Sequence, residues 1–393
     1  MRLLHTSDWH LGRTFHGASL LEEQAAALAR IVELAREGAV DAVLIAGDLY
    51  DRAIPPSEAV QLFNETLAQL RQNGAAVVAI AGNHDSHVRV SVYDPLLASL
   101  GVTIRGDVRR AHEPVLVSPR LGGFPVAIYP LPYLEPAVDG PGLISALGEE
   151  TLPVRLRHDE VTRLALERIR RDLQGRPKQR SVLVAHTFVA GGESSESERE
   201  LTVGNVDRVS AEAFAGFDYV ALGHLHGSQQ LDGPRLAYSG TPLPYSFSEQ
   251  NHTKSVRIVE LDAAGQPTVE VVPLQVGRSL CTIEGGIEQL CRDPQFESAV
   301  EAWVRVILSD EELPLQAMAR LRRRFPHVAE LRHRPPEVLR STASERNQQV
   351  RQAASPFELT SAFFADQQGR AANQAEGDLL REALEAAAKG GER

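Results

Sequence analysis

The chain has 393 residues, of which 43% are hydrophobic and 24% charged, and its formal net charge at pH 7 is -11. This length exceeds what one ordinary hydrophobic core organises, so we expect two or three domains. The acidic balance excludes a protein that coats nucleic acid through bulk charge attraction, although it leaves room for a local basic face.

The compartment and the redox state follow from two further features. The chain contains no apolar stretch of about eighteen residues, the length that a membrane span needs, and Met1–Asp8 becomes polar too early for a signal peptide. We therefore expect a cytoplasmic protein without a membrane partner. Cys281 and Cys291 cannot form a zinc site by themselves and lack the Cys-x-x-Cys spacing, so we expect them to be reduced and structural.

Short apolar runs alternate with helical patterns over roughly the first 270 residues, which indicates an α/β domain. The predicted strands are Arg2–Ser7, Ala42–Ala46, Ala76–Ala81, Val126–Tyr129, Ser181–Ala185 and Asp218–Leu222. The predicted helices are Leu20–Glu37, Ser57–Gln72 and Asp159–Leu173. Two antiparallel strands, Ser255–Asp262 and Thr268–Pro273, are expected to close the domain.

A second pattern follows, in which strand, helix, strand, helix and strand alternate between Val276 and Arg334. Beyond Pro335 and Pro336 the chain becomes rich in Gln and Ala, and its two helical patterns, Glu358–Gln367 and Gly377–Lys389, are too short to build a core. We predict a first domain over residues 1–274, a capping domain over 275–335 and a helical tail over 336–393.

Two basic segments run against the acidic average. Arg155–Arg180 carries nine Lys or Arg against four acids, and Gln316–Pro336 carries six arginines against one acid, Glu330, so each has a local charge of +5. Either segment alone is compatible with a solvated helix face followed by a basic loop, and a surface for the phosphates of DNA is the alternative.

Polar residues follow five of the apolar runs. The motifs are Ser7-Asp8-Trp9-His10, Gly47-Asp48, Gly82-Asn83-His84-Asp85, Ala185-His186 and Gly223-His224-Leu225-His226. Side chains at the end of a buried strand need hydrogen bonds, water or a metal ion. Gly-Asn-His-Asp alone is compatible with a simple turn. Because ligands gather outside the carboxyl ends of strands in α/β sheets, we expect all five ends to share one cleft.

The spacing and chemistry of these residues predict a metal site. Asp8 and His10, like His224 and His226, stand two residues apart, and in extended backbone such pairs face the same way. Glycines before three of the motifs are expected to let the backbone approach a bound ion closely. Carboxylates, imidazoles and one carboxamide, without a thiolate, suit Mn or Fe better than a structural zinc.

The number of donors is too large for one ion. Two ions about 3.5–4 Å apart, bridged by one carboxylate, would use all of them and would contact both the attacking and the leaving oxygen of a phosphoryl group. The motifs therefore predict two-metal phosphoryl chemistry.

In these motifs the chain resembles the calcineurin-like metallophosphoesterases. The segments LLHTSDWHLGR, from residue 3, and YSGTPLPYSFSE, from residue 238, are similar to the SbcD branch, the nuclease subunits of bacterial SbcCD double-strand break complexes, and the similarity covers nearly the whole chain. The resemblance implies an α/β (α+β) fold: a β-sandwich flanked by helices, a small α/β capping domain and a helical tail.

The resemblance also implies how two divalent ions, expected to be Mn²⁺, are held. The first ion would be bound by Asp8, His10, Asp48 and His226, and the second by Asp48, Asn83, His186 and His224, so that Asp48 bridges them.

His84 would donate a proton to the leaving oxygen, and Asp85 would orient the His84 ring. A purely structural role for His84 is the alternative. Asp51 stands where archaeal and eukaryotic relatives carry a histidine implicated in exonuclease positioning. Arg52 would contact a phosphate, or else form a salt bridge with Asp51 or interact with a helix end.

By this resemblance the protein is a two-metal DNA nuclease, a double-strand exonuclease and single-strand or hairpin endonuclease that acts in DNA repair, recombination and replication. It implies a homodimer formed through the nuclease domain, a nucleoid-associated cytoplasmic location, and a tail that binds the SMC-like ATPase subunit SbcC. The alternative for the tail is packing against its own capping domain.

Two other functions stay open: a phosphatase or small-substrate phosphodiesterase on the same fold, and a scaffold without active metals. The complete ligand set argues against the scaffold. The arginine-rich capping domain and the helical tail, which follow Val276, favour DNA as the substrate over a small molecule.

Overall fold

A computed structural model describes residues 1–147, 156–176, 179–198, 208–336 and 355–390. The chain divides into two compact units. The first contains Met1–Ile283, Pro294–Val306 and Arg322–Glu330, and the second contains the described parts of Glu284–Asp293, Ile307–Leu321 and Leu331–Arg393. This division differs from the predicted borders at residues 274/275 and 335/336, which stay a prediction.

The strands of the described residues are numbered in chain order. They are β1 (Arg2–Thr6), β2 (Thr14–Phe15), β3 (Ala18–Ser19), β4 (Ala42–Ile45), β5 (Ala76–Ile80), β6 (Val102–Arg105), β7 (Val115–Val117), β8 (Val126–Leu131), β9 (Ser181–His186), β10 (Phe188–Val189), β11 (Arg208–Val209), β12 (Tyr219–Gly223), β13 (Gln229–Asp232), β14 (Leu236–Tyr238), β15 (Ser255–Leu261), β16 (Pro267–Pro273), β17 (Leu280–Gly285), β18 (Trp303–Leu308) and β19 (Val328–His333).

The α-helices are numbered in the same way. They are α1 (Leu21–Glu37), α2 (Ser57–Gln72), α3 (His87–Ser91), α4 (Asp94–Leu97), α5 (Pro136–Leu147), α6 (His158–Gln174), α7 (Ile287–Arg292), α8 (Ala317–Arg322), α9 (Pro356–Gln368) and α10 (Gln374–Gly390). Short 3-10 helices cover Ala98–Leu100, Val108–Arg110, Ala211–Phe214, Phe247–Glu249 and Pro294–Ala299. No helix of the described ranges is long and apolar enough to cross a membrane.

Two six-stranded sheets form the centre of the first unit. One has the order β16-β15-β1-β4-β5-β6, in which β1, β4, β5 and β6 are parallel and β15 and β16 are antiparallel. The other has the order β13-β14-β12-β9-β8-β7, with a parallel centre and antiparallel edge strands β13 and β7. The parallel strands of both sheets therefore direct their carboxyl ends into loops that can carry a site.

The two sheets pack face to face, and helices cover their outer faces. Leu44 and Val78 of the first sheet share a buried cluster with Val182 and Tyr219 of the second. The outer face of the first sheet packs against α1 and α2, and that of the second packs against α5 and α6. Strands covered on both sides explain the continuous apolar runs in the sequence, and the predicted helix-flanked β-sandwich is confirmed.

The remaining strands and helices follow the predicted order. Strands β17, β18 and β19 form a three-stranded sheet, with α7 and α8 in the connections between its strands. In the second unit α9 and α10 pair with each other, and the Arg381 guanidinium lies 4.5 Å from the centre of the Phe357 ring. This pairing leaves Leu359, Phe363 and Leu379 exposed.

Candidate metal centre

The structure brings the predicted ligands together at the carboxyl ends of five strands. Asp8 and His10 follow β1, Asp48 follows β4, Asn83 follows β5, His186 ends β9, and His224 and His226 follow β12. Asn83 is half-buried and the others are buried. Ligand atoms lie within 4.8 Å of one another in three overlapping groups: Asp8, His10 and His226; Asp8, Asp48 and His186; and His10, Asp48 and His84.

One oxygen of Asp48 lies between the two predicted ligand sets. Its Oδ2 atom is 3.6 Å from Nε2 of His10, a member of the first set, and 3.5 Å from Nε2 of His186, a member of the second. Its Oδ1 atom accepts a hydrogen bond of 2.9 Å from the backbone N–H of His84. A carboxylate in this position can bridge two cations.

Asn83 connects the histidines of the second set. Its Oδ1 atom lies 2.9 Å from Nε2 of His186 and 3.1 Å from Nδ1 of His224. The other ring nitrogen of His186 donates a 2.8 Å hydrogen bond to the carbonyl of Ala46, which fixes the ring with Nε2 toward the cluster.

The backbone of the first motif is not extended, and this expectation was wrong. Asp8 and His10 have φ angles of 53° and 44°, in the left-handed region, and His224 has a φ of 108°. Backbone N–H groups of Asp8 and His10 donate to the carbonyls of Gly47 and Asp48, which holds the loop in place. A left-handed conformation costs on the order of 1–2 kcal/mol per non-glycine residue, and such strain is concentrated at functional sites.

The motif glycines allow the loops to approach each other rather than an ion. A side chain at Gly82 would overlap the Asp48 carboxylate, and one at Gly47 would overlap the His186 ring. Gly82 therefore lets two loops of the first sheet approach each other, and Gly47 lets His186 of the second sheet approach the first.

Charge in the cluster is concentrated on one pair. Burial of the His186 ring disfavours its protonated form, but the Asp48 carboxylate outweighs this effect and raises the pKa of His186 to about 9. Burial likewise disfavours the ionised form of Asp48, but His186 outweighs it and holds the pKa of Asp48 well below its usual range. Burial, assisted by His186, lowers the pKa of His224 to about 3, and burial also lowers the pKa of His10. Neutral rings at His10 and His224 offer lone pairs to a cation.

The residues present fit divalent cations. Nε2 of His10 and Nε2 of His226 face each other at 3.2 Å, and Nδ1 of His10 is buried without a hydrogen-bond partner among the described residues. A cation next to the two Nε2 atoms and the nearby carboxylates would give those nitrogens a partner, whereas Nδ1 of His10 points to Asp51 at 3.7 Å. Oxygen and imidazole donors without thiolate are the set expected for ions such as Mn²⁺ or Fe²⁺.

The ring of His84 is oriented differently from the prediction. Its Nδ1–H donates a 2.8 Å hydrogen bond to the backbone carbonyl of Asp51. The Asp85 carboxylate instead accepts backbone N–H groups of Gly82, Leu49 and Tyr50 at 2.9–3.0 Å. Asp85 therefore joins the loops after β4 and β5, and the orienting role predicted for it belongs to the Asp51 carbonyl.

Asp51 pairs with Arg13 rather than with Arg52. The guanidinium of Arg13 lies 3.4 Å from the Asp51 carboxylate and 4.9 Å from the centre of the Tyr245 ring, and it donates to the carbonyl of Ser197 at 3.1 Å. Arg52 is exposed and forms no ion pair with any described residue.

A group of polar residues behind the site was not predicted from the sequence. Ser197, Glu198, Glu249 and Lys254 surround His226, and Gln24 donates to the carbonyls of Trp9 and His10 at 3.3 and 2.8 Å. Burial opposes it, but the charge of the Lys254 ammonium, which bonds Oε2 of Glu249, holds the pKa of Glu249 well below its usual range. Glu249 does end the quoted segment YSGTPLPYSFSE, which was the one available signal.

The two basic segments differ in how many charges stay free. In the first, arginines pair with acids four residues earlier: Asp159–Arg163, Glu167–Arg171 and Asp172–Arg176, while Arg155 and Lys178 lie outside the described residues. In the second, Arg320 pairs with Glu288 and Arg324 with Glu297, whereas Arg322 and Arg323 are exposed. The first segment is thus largely a solvated helix face.

Comparisons with known proteins identify the family to which the chain is similar. Residues 1–228 match the family model described as calcineurin-like phosphoesterase, and residues 276–368 match the one described as type 5 capsule protein repressor C-terminal domain. The SbcD subunit of the nuclease SbcCD from Bacillus subtilis (strain 168) is 35% identical over 339 residues, which cover 84% of this chain and 85% of the relative. The SbcD subunit from Escherichia coli (strain K12) is 30% identical, over 79% of each chain.

Proposed function

The chain belongs to the calcineurin-like phosphoesterase family, within the branch formed by the SbcD subunits of SbcCD nucleases, and on this premise we propose that it is a metal-dependent nuclease that hydrolyses the phosphodiester backbone of DNA. The observation that carries the proposal is the position of Asp48 Oδ2 between His10 and His186, at 3.6 and 3.5 Å. That arrangement suits two cations and one bridging ligand.

The seven predicted ligands would hold two divalent ions, for which Mn²⁺ is our proposal. Asp8, His10, Asp48 and His226 would hold the first ion, and Asp48, Asn83, His186 and His224 the second. When bound, such ions neutralise phosphate charge and lower the pKa of a coordinated water.

His84 is proposed as the proton donor to the leaving oxygen. Its Nδ1–H is engaged by the Asp51 carbonyl, so the transferable proton would be the one on Nε2, and a ring nitrogen of His84 lies within 4.8 Å of ligand atoms of His10 and Asp48. Asp85 supports this geometry by bonding the backbone of the two loops that carry Asp48 and His84. His84 would thus act by proton transfer, and Asp85 would act by holding the loops in position.

DNA is the proposed substrate because of the chain beyond the metallophosphoesterase domain. Residues 275–335 are proposed as a capping domain that contacts DNA, and exposed Arg322 and Arg323 are its candidate phosphate contacts. A small-substrate hydrolase has no evident use for this region.

The tail is proposed to bind an SMC-like ATPase subunit of the SbcC type. Leu359, Phe363 and Leu379 stay exposed although α9 and α10 pair with each other. Exposed apolar side chains on a short helical pair are typical of helices that dock into a groove of a partner. Residues 337–354 and 391–393 of the proposed tail, 336–393, lie outside the described residues.

A homodimer through the nuclease domain is also proposed. Val88, Val92, Tyr93, Leu96 and Leu100, in and next to α3 and α4, form an exposed apolar series, with Tyr93 63% and Leu96 70% exposed. Apolar patches of this kind mark interaction surfaces. The expected setting is the cytoplasm, in association with the nucleoid, during break repair, recombination and replication.

One comparison of activities tests the proposal against a phosphatase or small-substrate phosphodiesterase. The same manganese-loaded preparation is assayed on a nitrophenyl phosphate ester, its phosphodiester analogue and a long DNA duplex. We expect efficient cleavage of DNA with little release from the monoester. Efficient monoester hydrolysis without DNA cleavage would establish the alternative.

A further inference from the structure

His226 is held from behind by residues that lie outside the five ligand motifs. Its Nδ1 atom is 2.5 Å from Oγ of Ser197, and this same Oγ is 2.5 Å from Oε1 of Glu249. On its other side, Nε2 of His226 faces Nε2 of His10 at 3.2 Å. The ring therefore lies between the proposed metal cluster and a buried carboxylate.

Glu249 is buried together with a counter-charge. Its side chain is 0% exposed and that of Lys254 is 10% exposed, and the Lys254 ammonium bonds Oε2 of Glu249. Lys254 also donates to the carbonyl of His226 at 2.9 Å and to Oγ1 of Thr241 at 2.8 Å. A buried carboxylate is retained as an ion when it is paired and hydrogen-bonded in this way. As a carboxylate, Glu249 only accepts hydrogen bonds.

The direction of each hydrogen bond follows from this charge. Ser197 has one hydroxyl proton, and because Glu249 only accepts, that proton points to Glu249. The lone pair of Ser197 Oγ then accepts Nδ1–H of His226, which leaves the Nε2 lone pair free on the cluster side. Neighbouring Ser195 does not compete, since its hydroxyl donates to Oε2 of Glu198 at 2.7 Å.

The same short segment also fixes the backbone of His226. Oε1 of Glu198 accepts the backbone N–H of His226 at 2.7 Å. Ser197 thus bonds the ring of His226, and Glu198 bonds the main chain of the same residue. Because a histidine binds a metal only through an unprotonated nitrogen, the tautomer that they impose is the one that a ligand needs.

We propose that Ser197, supported by Glu249, is a positioning residue that fixes the tautomer and ring orientation of His226 for the cation site formed with Asp8 and His10. This inference rests on the proposed function only in that the cluster binds divalent ions. Loss of a hydrogen-bonding partner behind a ligand typically weakens metal binding about 10- to 100-fold. The effect should fall on one of the two ions.

A matched pair of variants isolates the hydroxyl group. Ser197→Thr keeps it, and Ser197→Val has nearly the shape of the threonine variant without it; Ser197 is only half-buried, so both should fold. Manganese binding to the full chain is measured without DNA, by isothermal titration and by counting free Mn²⁺ by electron paramagnetic resonance. Far-UV circular dichroism checks the fold. Ser248→Ala is the control, because Ser248 bonds the backbone of Glu196 in the same segment but does not contact His226.

We expect Ser197→Thr and Ser248→Ala to bind two ions like the wild type, and Ser197→Val to lose affinity for one ion about 10- to 100-fold. Equal affinity in the valine and threonine variants, whether both normal or both weakened, would overturn the proposal, since the hydroxyl would then have no role. A similar loss with Ser248→Ala would overturn it too, by assigning the effect to the segment. If the wild type itself binds no Mn²⁺, the proposed metal-dependent function is contradicted, and the role of Ser197 in metal binding is contradicted with it.

In metal-free protein with labelled histidines, nitrogen NMR reads the tautomer directly. We expect the proton of His226 on Nδ1 in the wild type and in Ser197→Thr, and a mixture of tautomers in Ser197→Val. A wild-type proton on Nε2 would overturn the proposal independently of any metal.

Discussion

The backbone N–H of His84 donates a hydrogen bond of 2.9 Å to Oδ1 of Asp48. The loop that carries the proposed proton donor is thereby joined to the carboxylate proposed to bridge the ions. Asp85 strengthens the same connection by accepting the backbone N–H groups of Leu49 and Gly82. Because both bonds to the His84 loop involve its backbone, the His84 side chain can be changed without removing them.

Replacement of the His84 side chain should therefore separate metal binding from chemistry. We expect His84→Gln to bind two Mn²⁺ ions and DNA normally and to cut roughly 10²- to 10⁴-fold more slowly, the usual size of general acid catalysis. The check is single-turnover cleavage together with manganese titration. His87→Gln is the control, since His87 bonds the carbonyl of Gly106 outside the cluster. Loss of an ion in His84→Gln would make His84 a ligand.

The strand ends illustrate what could be predicted from the sequence. An apolar run that ends in Gly82-Asn83-His84-Asp85 predicts both the buried strand β5 and a site at its end, because the signal lies in neighbouring residues. Helix α2 has the predicted bounds, Ser57–Gln72, because two prolines precede an amphipathic pattern. Short strands such as β7 and β14, of three residues each, are too brief to leave a periodic signal.

The support behind the ligands could not be predicted, because it depends on contacts between distant segments. Ser197 and Glu249 are 52 residues apart, and although Glu249 ends the quoted segment YSGTPLPYSFSE, no local pattern indicates that the two residues meet at His226. The left-handed backbone at Asp8 and His10 was equally hidden, since it arises from hydrogen bonds to the loop after β4. Tertiary contacts overrode the local expectation of an extended strand.

Arg322 and Arg323 should contribute to DNA binding through phosphates. Neutralising both, as Arg322→Gln with Arg323→Gln, should weaken binding to all sequences alike and reduce the salt dependence of log K by about one unit for each lost contact. Titrations of a duplex at several salt concentrations measure this slope. The control is Arg163→Gln with Arg171→Gln, which removes equal charge from arginines already paired with acids. Equal slopes in the wild type and in Arg322→Gln/Arg323→Gln would contradict the assignment.

The exposed apolar side chains of α9 and α10 should be needed for binding the ATPase subunit. Phe363 and Leu379 are 64% and 65% exposed, so Phe363→Glu with Leu379→Glu should leave the fold intact and abolish co-purification with that subunit. Manganese-dependent cutting of single strands should stay near normal. Gln368→Glu, a charge change on the exposed end of α9, serves as control. Undiminished binding by the double variant would place the docking surface elsewhere in the chain.

Stability should depend on pH through His5, a buried residue of β1 in the first sheet whose ring bonds residues of β12 in the second sheet. The Tyr219 hydroxyl donates to its Nδ1 at 2.9 Å, and its Nε2–H donates to the Leu222 carbonyl at 3.0 Å. Burial, assisted by the charge of Arg257, lowers the pKa of His5 to about 3. Because this value lies below the ordinary pKa of the unfolded chain, about 6.5, protonation favours unfolding.

The contribution of neutral His5 is therefore complete above about pH 6.5 and is lost as the pH falls toward 3, at up to about 1.4 kcal/mol per pH unit. We expect the difference in unfolding free energy between the wild type and His5→Gln to shrink accordingly between pH 7 and pH 5 in urea denaturation. A difference that does not change with pH would show that His5 is not held neutral.

The most direct test of the two-metal account is the Asp48→Asn variant, with manganese content and duplex cleavage measured on the same preparation. Because Asp48 Oδ2 lies within 3.6 Å of histidines from both ligand sets, loss of this carboxylate should weaken the binding of both ions. Asp232→Asn, an exposed position at the end of β13, is the control for the same change of charge and should bind two ions and cut DNA. The account predicts reduced metal occupancy and no detectable cleavage by Asp48→Asn, with an unchanged circular dichroism spectrum. Full manganese binding, or cleavage above a few per cent of wild type, would contradict it.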